Sequence, residues 1–300
     1  MLSLPKHLAS AARVPRESCS SKLSMTFFNS FPIISALCIM PTALITGASR
    51  GIGRALALGL AQRGYDLLLV ARSAGQLHAL AQEVQTRHQR EAQVLALDLT
   101  QPDAAAEVAT WAAHQAPEGL AVLVNNAGYG LWGRFEQLNL EEQLNMLQLN
   151  LNLPVQLTYA LLPLLRRAAK GYILNVASTA AYQAVPSLTV YAASKAFLLS
   201  FSRGLRYELK DSTISVTCLS PGATTTDFGN RAGMGAELQA VANKVSMTPS
   251  QVAEAGLKAL FAGKAEFIPG MLNKVSASLT SIVPKPLVEK IAAGIYEKYL

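Results

Sequence analysis

Tyr191 and Lys195 stand four residues apart in the run YAASK. On a helix that spacing puts both side chains on one face, one turn apart. An ammonium beside a phenol favours the phenolate, so Lys195 is expected to lower the Tyr191 pKa from its ordinary ~10. A phenol tuned that way can pass a proton at neutral pH. The pair alone is a weak signal, because a Tyr and a Lys on a solvated helix face share the spacing. The rest of the chain decides whether it does chemistry.

The elements that must hold this pair alternate regularly. Thr42–Ile45, Asp66–Val70, Val94–Leu97, Ala121–Val124, Tyr172–Val176 and Ile214–Leu219 are short apolar runs, with Phe267-Ile268 as a seventh. Helical stretches separate them. These run to about Arg63, over Ala74–His88, around Pro102–His114, from about Leu140 to Lys170, from YAASK to about Leu209, and from Pro249 to Phe261. Thr248-Pro249-Ser250-Gln251 is a capping box with proline at the first helical position. Continuous apolar strands between amphipathic helices predict an α/β fold, a doubly wound Rossmann-type parallel sheet with helices on both faces.

TGASRGIG follows the first strand and opens a helix, with Gly47, Gly51 and Gly53 in the turn. A glycine turn there lets a pyrophosphate approach backbone N–H groups at a helix N-terminus. The spacing is GxxxGxG rather than GxGxxG. A ribose 2′-hydroxyl is read by an acid ~20 residues on. Ala71 and Arg72 stand there instead, and Arg50 lies in the loop. Two guanidiniums and no acid favour a 2′-phosphate, hence NADP over NAD, with two solvated arginines as the alternative. NNAG, Asn125–Gly128, sits at the end of the fourth strand, where open α/β sheets bind ligands. Pro154 lacks an N–H and should leave the carbonyl of Asn150 without its helical partner, inside a kinked helix. Ser178 lies just past the fifth strand, and SPGATTTDF follows the sixth.

TGASRGIG, NNAG, Asn150, Ser178, YAASK and PGATTT, in this order, resemble the short-chain dehydrogenase/reductase family over roughly Thr42 to Gly270. Ser178 precedes Tyr191 by the family's spacing. The resemblance implies about seven parallel strands and one domain. It implies a catalytic set of Asn150, Ser178, Tyr191 and Lys195. Tyr191 would be the general acid, Lys195 would hold the nicotinamide ribose, and Ser178 would hydrogen-bond the substrate carbonyl. Asn150 would position a water. The cofactor would be NADP (NADPH). Its contacts would come from Gly47, Ser49, Arg50, Gly51, Ile52 and Gly53, from Arg72, Asp98 and Leu99, and from Asn125, Ala127 and Gly128. Tyr191, Lys195, Pro221, Gly222 and Thr226 would complete them. The implied reaction is reduction of a ketone or aldehyde to the alcohol, or its reverse. A non-catalytic NADP-binding sensor or scaffold is the alternative reading.

Composition bounds the rest. The chain has 300 residues, 51% hydrophobic and 15% charged, enough for a large core. Cys19, Cys38 and Cys218 are scattered, without metal-ligand spacing, so no metal is expected. Residues 1–39 hold Lys6, Arg13, Arg16 and Lys22 against Glu17, a net +3, which leaves +4 for the body out of the total +7. No basic runs interleave with aromatics, so nucleic acid is not an expected partner. Residues 1–39 read as a poorly ordered extension with a start near Met25 or Met40, against targeting or a membrane anchor as alternatives. Residues 40–270 form the expected catalytic domain. After Pro221, Phe228, Met234, Met247 and Met271 are adaptable apolar groups, and Gly229, Gly233 and Gly235 suggest a mobile lid. Arg231 and Lys244 read as solvated lid surface, with an anionic end of the substrate as the alternative. The lid favours a small hydrophobic carbonyl or alcohol substrate. Residues 271–300 read as a helical extension that docks on the domain, caps the cleft, or meets a subunit or a membrane surface. A homo-oligomer and a cytoplasmic location are expected, with organelle targeting or peripheral membrane association as alternatives.

Overall fold

The computed structural model describes residues 40–280 and 283–296. The expectations for residues 1–39 lie outside the described residues. In chain order the elements are β1 (Thr42–Thr46), α1 (Gly51–Gln62), β2 (Asp66–Ala71), α2 (Ala74–His88), β3 (Ala92–Ala96) and α3 (Ala104–Gln115). Then come β4 (Val122–Asn125), α4 (Leu140–Leu147), α5 (Leu153–Leu165), β5 (Gly171–Val176), α6 (Thr189–Glu208) and β6 (Ile214–Leu219). Last are α7 (Phe228–Arg231), α8 (Ala236–Lys244), α9 (Pro249–Phe261), β7 (Glu266–Phe267), α10 (Met271–Leu279) and α11 (Lys285–Tyr296).

The seven strands form one sheet in the order β3-β2-β1-β4-β5-β6-β7, with every pairing parallel. Strand residues alternate faces with period two. Ala43, Ile45, Leu67, Leu69, Val122 and Val124 therefore face one core, shared with Leu56 and Leu60 of α1, Leu77 and Leu80 of α2 and Leu257 and Leu260 of α9. Leu44, Leu68, Val70, Leu123 and Ile173 face the other, with Val108 and Ala112 of α3 and Leu157, Leu161 and Leu165 of α5. Burial on both faces is why these strands read as unbroken apolar runs. Each fully buried leucine contributes about 1.5–3 kcal/mol.

The strand order reverses between β1 and β4, so the loops after these two strands diverge and leave a crevice at the sheet's carboxyl edge. One expected helix is two. The segment expected as a kinked helix from Leu140 to Lys170 breaks into α4, a π-helical turn over Gln148–Asn152, and α5, which ends at Leu165. The Leu153 N–H bonds back to the Gln148 carbonyl, five residues earlier. Pro154 falls in the first turn of α5, where its missing N–H disrupts least. The strain expected as a kink is absorbed as one wide turn, and Asn150 sits in it.

Candidate active site

The turn after β1 is shaped by contact between backbones. A Cβ on Gly53 would lie 2.3 Å from the Gly47 carbonyl oxygen, so α1 can begin this close to the strand only with glycine there. The Thr46 hydroxyl accepts the N–H groups of Asn126 and Ala127, both at 3.1 Å, and donates to the Val124 carbonyl at 3.2 Å. The Asn126 amide donates to the Thr46 carbonyl at 2.9 Å. The two loops at the crevice are thus tied together, with the N-terminus of α1 open toward it. A helix start of this kind favours an anion.

Tyr191 and Lys195 are one turn apart on α6, 8% and 5% exposed. The Lys195 Nζ donates to the Val176 carbonyl at 3.0 Å and stands 5.7 Å from the Tyr191 ring centroid. Here the expected electrostatics are corrected. Burial pushes the Tyr191 pKa up to about 12, against a smaller lowering by a hydrogen bond with Ser178. Burial also lowers Lys195 from 10.5 to about 8. Desolvation dominates both shifts, because both groups are withdrawn from water and the Lys195 amine bonds to the Val176 carbonyl.

Asn150 is 1% exposed and anchors rather than lines the cleft. Its Oδ1 accepts the Tyr129 N–H at 3.1 Å, and its Nδ2 donates to the Tyr129 carbonyl at 2.9 Å and to Ser194 Oγ at 3.1 Å. The Ser194 hydroxyl donates in turn to the Tyr191 carbonyl at 2.7 Å. A Cβ on Gly128 would sit 2.8 Å from Asn150 Oδ1 and 3.4 Å from Lys195 Nζ, so the glycine leaves room for both.

One cleft of about 520 Å³ joins these groups, a volume suited to small-molecule and cofactor sites. Gly47, Ser49, Arg50, Gly51, Ile52, Gly53, Arg72, Asp98, Leu99, Ala127, Gly128, Ser178, Tyr191, Lys195, Pro221, Gly222 and Thr226 all line it. Asn125 does not. It is 3% exposed, and its Nδ2 donates to Asn175 Oδ1 at 2.8 Å and Thr158 Oγ1 at 3.2 Å beneath the floor. Its neighbour Asn126 reaches the cleft instead. Arg50 pairs with Asp227 at 2.7 Å, so it is not free as expected. Asp98 Oδ1 accepts from the Thr100 N–H at 3.1 Å and hydroxyl at 2.9 Å.

Of the lid groups, Phe228 and Met234 line the cleft, and Phe228 packs at 5.3 Å on the Tyr191 ring. Arg231 lines it too, unlike Lys244. Met247 and Met271 do not, and Met271 is 75% exposed. Sequence reasoning missed Thr46, Ser194 and Asn126, which lie inside motifs it quoted. It also missed the wall of Val185, Leu188 and Leu238, and Ser276, Ala277 and Thr280 at the α10 end. Nothing local marks those residues; only the fold brings them to the cleft.

The short chain dehydrogenase family model matches residues 41–237. The chain belongs to the short-chain dehydrogenase family. An uncharacterized oxidoreductase of Staphylococcus epidermidis is 32% identical over 221 residues, 70% of this chain and 92% of the relative. A short-chain dehydrogenase from Sphingobium yanoikuyae, solved in complex with NADPH, is 32% identical, with a TM-score of 0.71 over 82% of this chain and 97% of its own. The bulky-bulky ketone specific alcohol dehydrogenase from Comamonas testosteroni is 30% identical, with a TM-score of 0.66 over 82% and 96%. As a member of this family the protein is an oxidoreductase. Among the described residues, no helix is long and apolar enough to cross a membrane.

Proposed function

We propose that the protein is an NADP(H)-dependent carbonyl reductase for hydrophobic ketones or aldehydes. The observation that carries this is the junction of two environments in one cleft. A glycine turn and cations lie at one end. At the other, Tyr191 belongs to an apolar cluster whose members Val185, Leu188 and Leu238 also line the cleft.

The residues present fit the cofactor. Gly51, Ile52 and Gly53 turn the N-terminus of α1 toward the cleft, which suits a pyrophosphate, and Arg72 stands where an acid would otherwise read the 2′-hydroxyl. Bound there, NADPH supplies the hydride. The chain supplies the proton and the orientation. With a pKa near 12 the Tyr191 phenol is protonated at neutral pH, as a donor to a carbonyl oxygen must be. Ser178, its hydrogen-bond partner, orients that oxygen and stabilises its developing charge. Lys195 holds the ribose, and Asn150 positions the Tyr129 backbone and, through Ser194, the α6 turn that carries Tyr191. Phe228 and Met234 exclude water from this end.

The test is a panel of aliphatic, aromatic and bulky ketones, followed by loss of reduced-nicotinamide absorbance with NADPH and with NADH. Turnover of apolar ketones with NADPH preferred is expected. Equal or better kcat/KM with NADH, or activity confined to polar substrates, would refute it. Replacing Ala71 with Asp and Arg72 with Gln should move the preference toward NADH.

A further inference from the structure

Arg231 ends α7 and lines the same cleft as Arg72 and Arg50. Its guanidinium lies over the Tyr129 ring, 4.6 Å from the centroid. An aromatic face holds a flat cation in one orientation and leaves its N–H edge for an anion. Desolvation, and then the positive field of Arg72, lower the Arg231 pKa; Arg50 acts in the same sense, while Tyr129 and Asp98 oppose. Three guanidiniums therefore share one electrostatic neighbourhood. Among the described residues, no carboxylate lies within ion-pairing distance of Arg231 or Arg72. Asp98, the nearby acid, is engaged by Thr100. Converging cations repel, and a multiply charged anion relieves that repulsion.

The segment carrying Arg231 is tethered at both ends of the cleft. Asp227, just before α7, pairs with Arg50 of the glycine turn. Phe228 packs on Tyr191. The Trp132 N–H donates to the Ala232 carbonyl at 2.8 Å. A ligand that grips Arg231 therefore fixes the wall beside Tyr191 as well.

We propose that Arg231 is a further guanidinium for the cofactor's 2′-phosphate, so that NADP(H) draws the α7 segment over the cleft and NAD(H) does not. The proposal rests on the NADP reading above. The side chain belongs to the substrate lid, so it couples cofactor choice to closure of the substrate end. A contact with the shared pyrophosphate or with an anionic substrate would use the same cation but not the same discrimination.

Calorimetric titration of the full chain with NADP+ and with NAD+ separates these. For Arg231→Gln, Kd for NADP+ should rise about tenfold or more, as for a lost charged hydrogen bond, with Kd for NAD+ unchanged. Arg231→Lys should fall between, because a point charge keeps the attraction and loses the fork. Limited proteolysis of the stretch from Phe228 to Lys244 should be slowed by NADP+ in the wild type and not in Arg231→Gln. Arg231 is exposed, so melting temperatures should hold. A wild type that prefers NAD+ overturns the cofactor reading and this inference with it. A wild type that prefers NADP+ while Arg231→Gln keeps the same ratio overturns this inference alone. So does equal weakening of both cofactors, which assigns Arg231 to the pyrophosphate, or a change confined to substrate KM.

Discussion

Tyr191 is held protonated by its surroundings, and Lys195 is held close to losing its proton. If Tyr191 is the proton donor, Tyr191→Phe should lower turnover by about a hundredfold to ten-thousandfold while NADP+ binding survives. A variant with near wild-type kcat, measured with the same ketone, would remove the phenol from the mechanism. Lys195 makes a separate prediction about stability. Its folded pKa is about 8 and its ordinary value 10.5. Between those values the unfolded chain binds more protons, so stability rises with pH. The buried ammonium is a cost at neutral pH that is relieved as pH climbs through 8. Tyr191 acts oppositely above ~10, where the unfolded phenol ionises first and the folded one does not. Urea unfolding of wild type and Lys195→Met, compared across this range, should show the rise in the wild type and its absence in the variant. Parallel curves would mean that the amine is not buried as described.

The glycine turn and the helix it opens act as one element. A methyl on Gly53 would stand 2.3 Å from the Gly47 carbonyl oxygen, closer than van der Waals contact allows. Gly53→Ala should therefore push α1 away from β1. It should lower the melting temperature and weaken NADP+ binding together. Unchanged calorimetric affinity would show that the turn does not cradle the phosphates. The π-turn between α4 and α5 is the second such element. It places Asn150 between the loop after β4 and the turn carrying Tyr191, joining a backbone loop to a helix through one amide.

At the scale of the molecule, a seven-stranded sheet fixes the cofactor end, and the chain after β6 closes the other. Ser276, Ala277 and Thr280 place α10 along that closing wall. A stop after Gly270 should therefore raise KM for a bulky ketone more than it changes Kd for NADP+. An unchanged KM would show that α10 takes no part in the cleft. We propose residues 40–270 as the catalytic domain and α10 beyond it as an added wall.

The sequence by itself determined the order and type of the elements and the main motifs. Strands buried on both faces must be apolar throughout, and helices must be amphipathic, so period and punctuation are written locally. The box at Thr248 was legible for the same reason: both its hydrogen bonds close within four residues. Tertiary structure decided what depends on distance and burial. The Tyr191 pKa moved opposite to expectation because desolvation comes from residues far apart in sequence, which the Lys195 spacing does not encode. Asn125 went beneath the floor because β5 and α5 supply its partners, Asn175 and Thr158. Arg50 met Asp227 across 177 positions, and Arg231 turned from lid surface to cleft wall. A pattern of residue types records which face is apolar; which charges meet across the cleft is settled only when the sheet brings its loops to one edge.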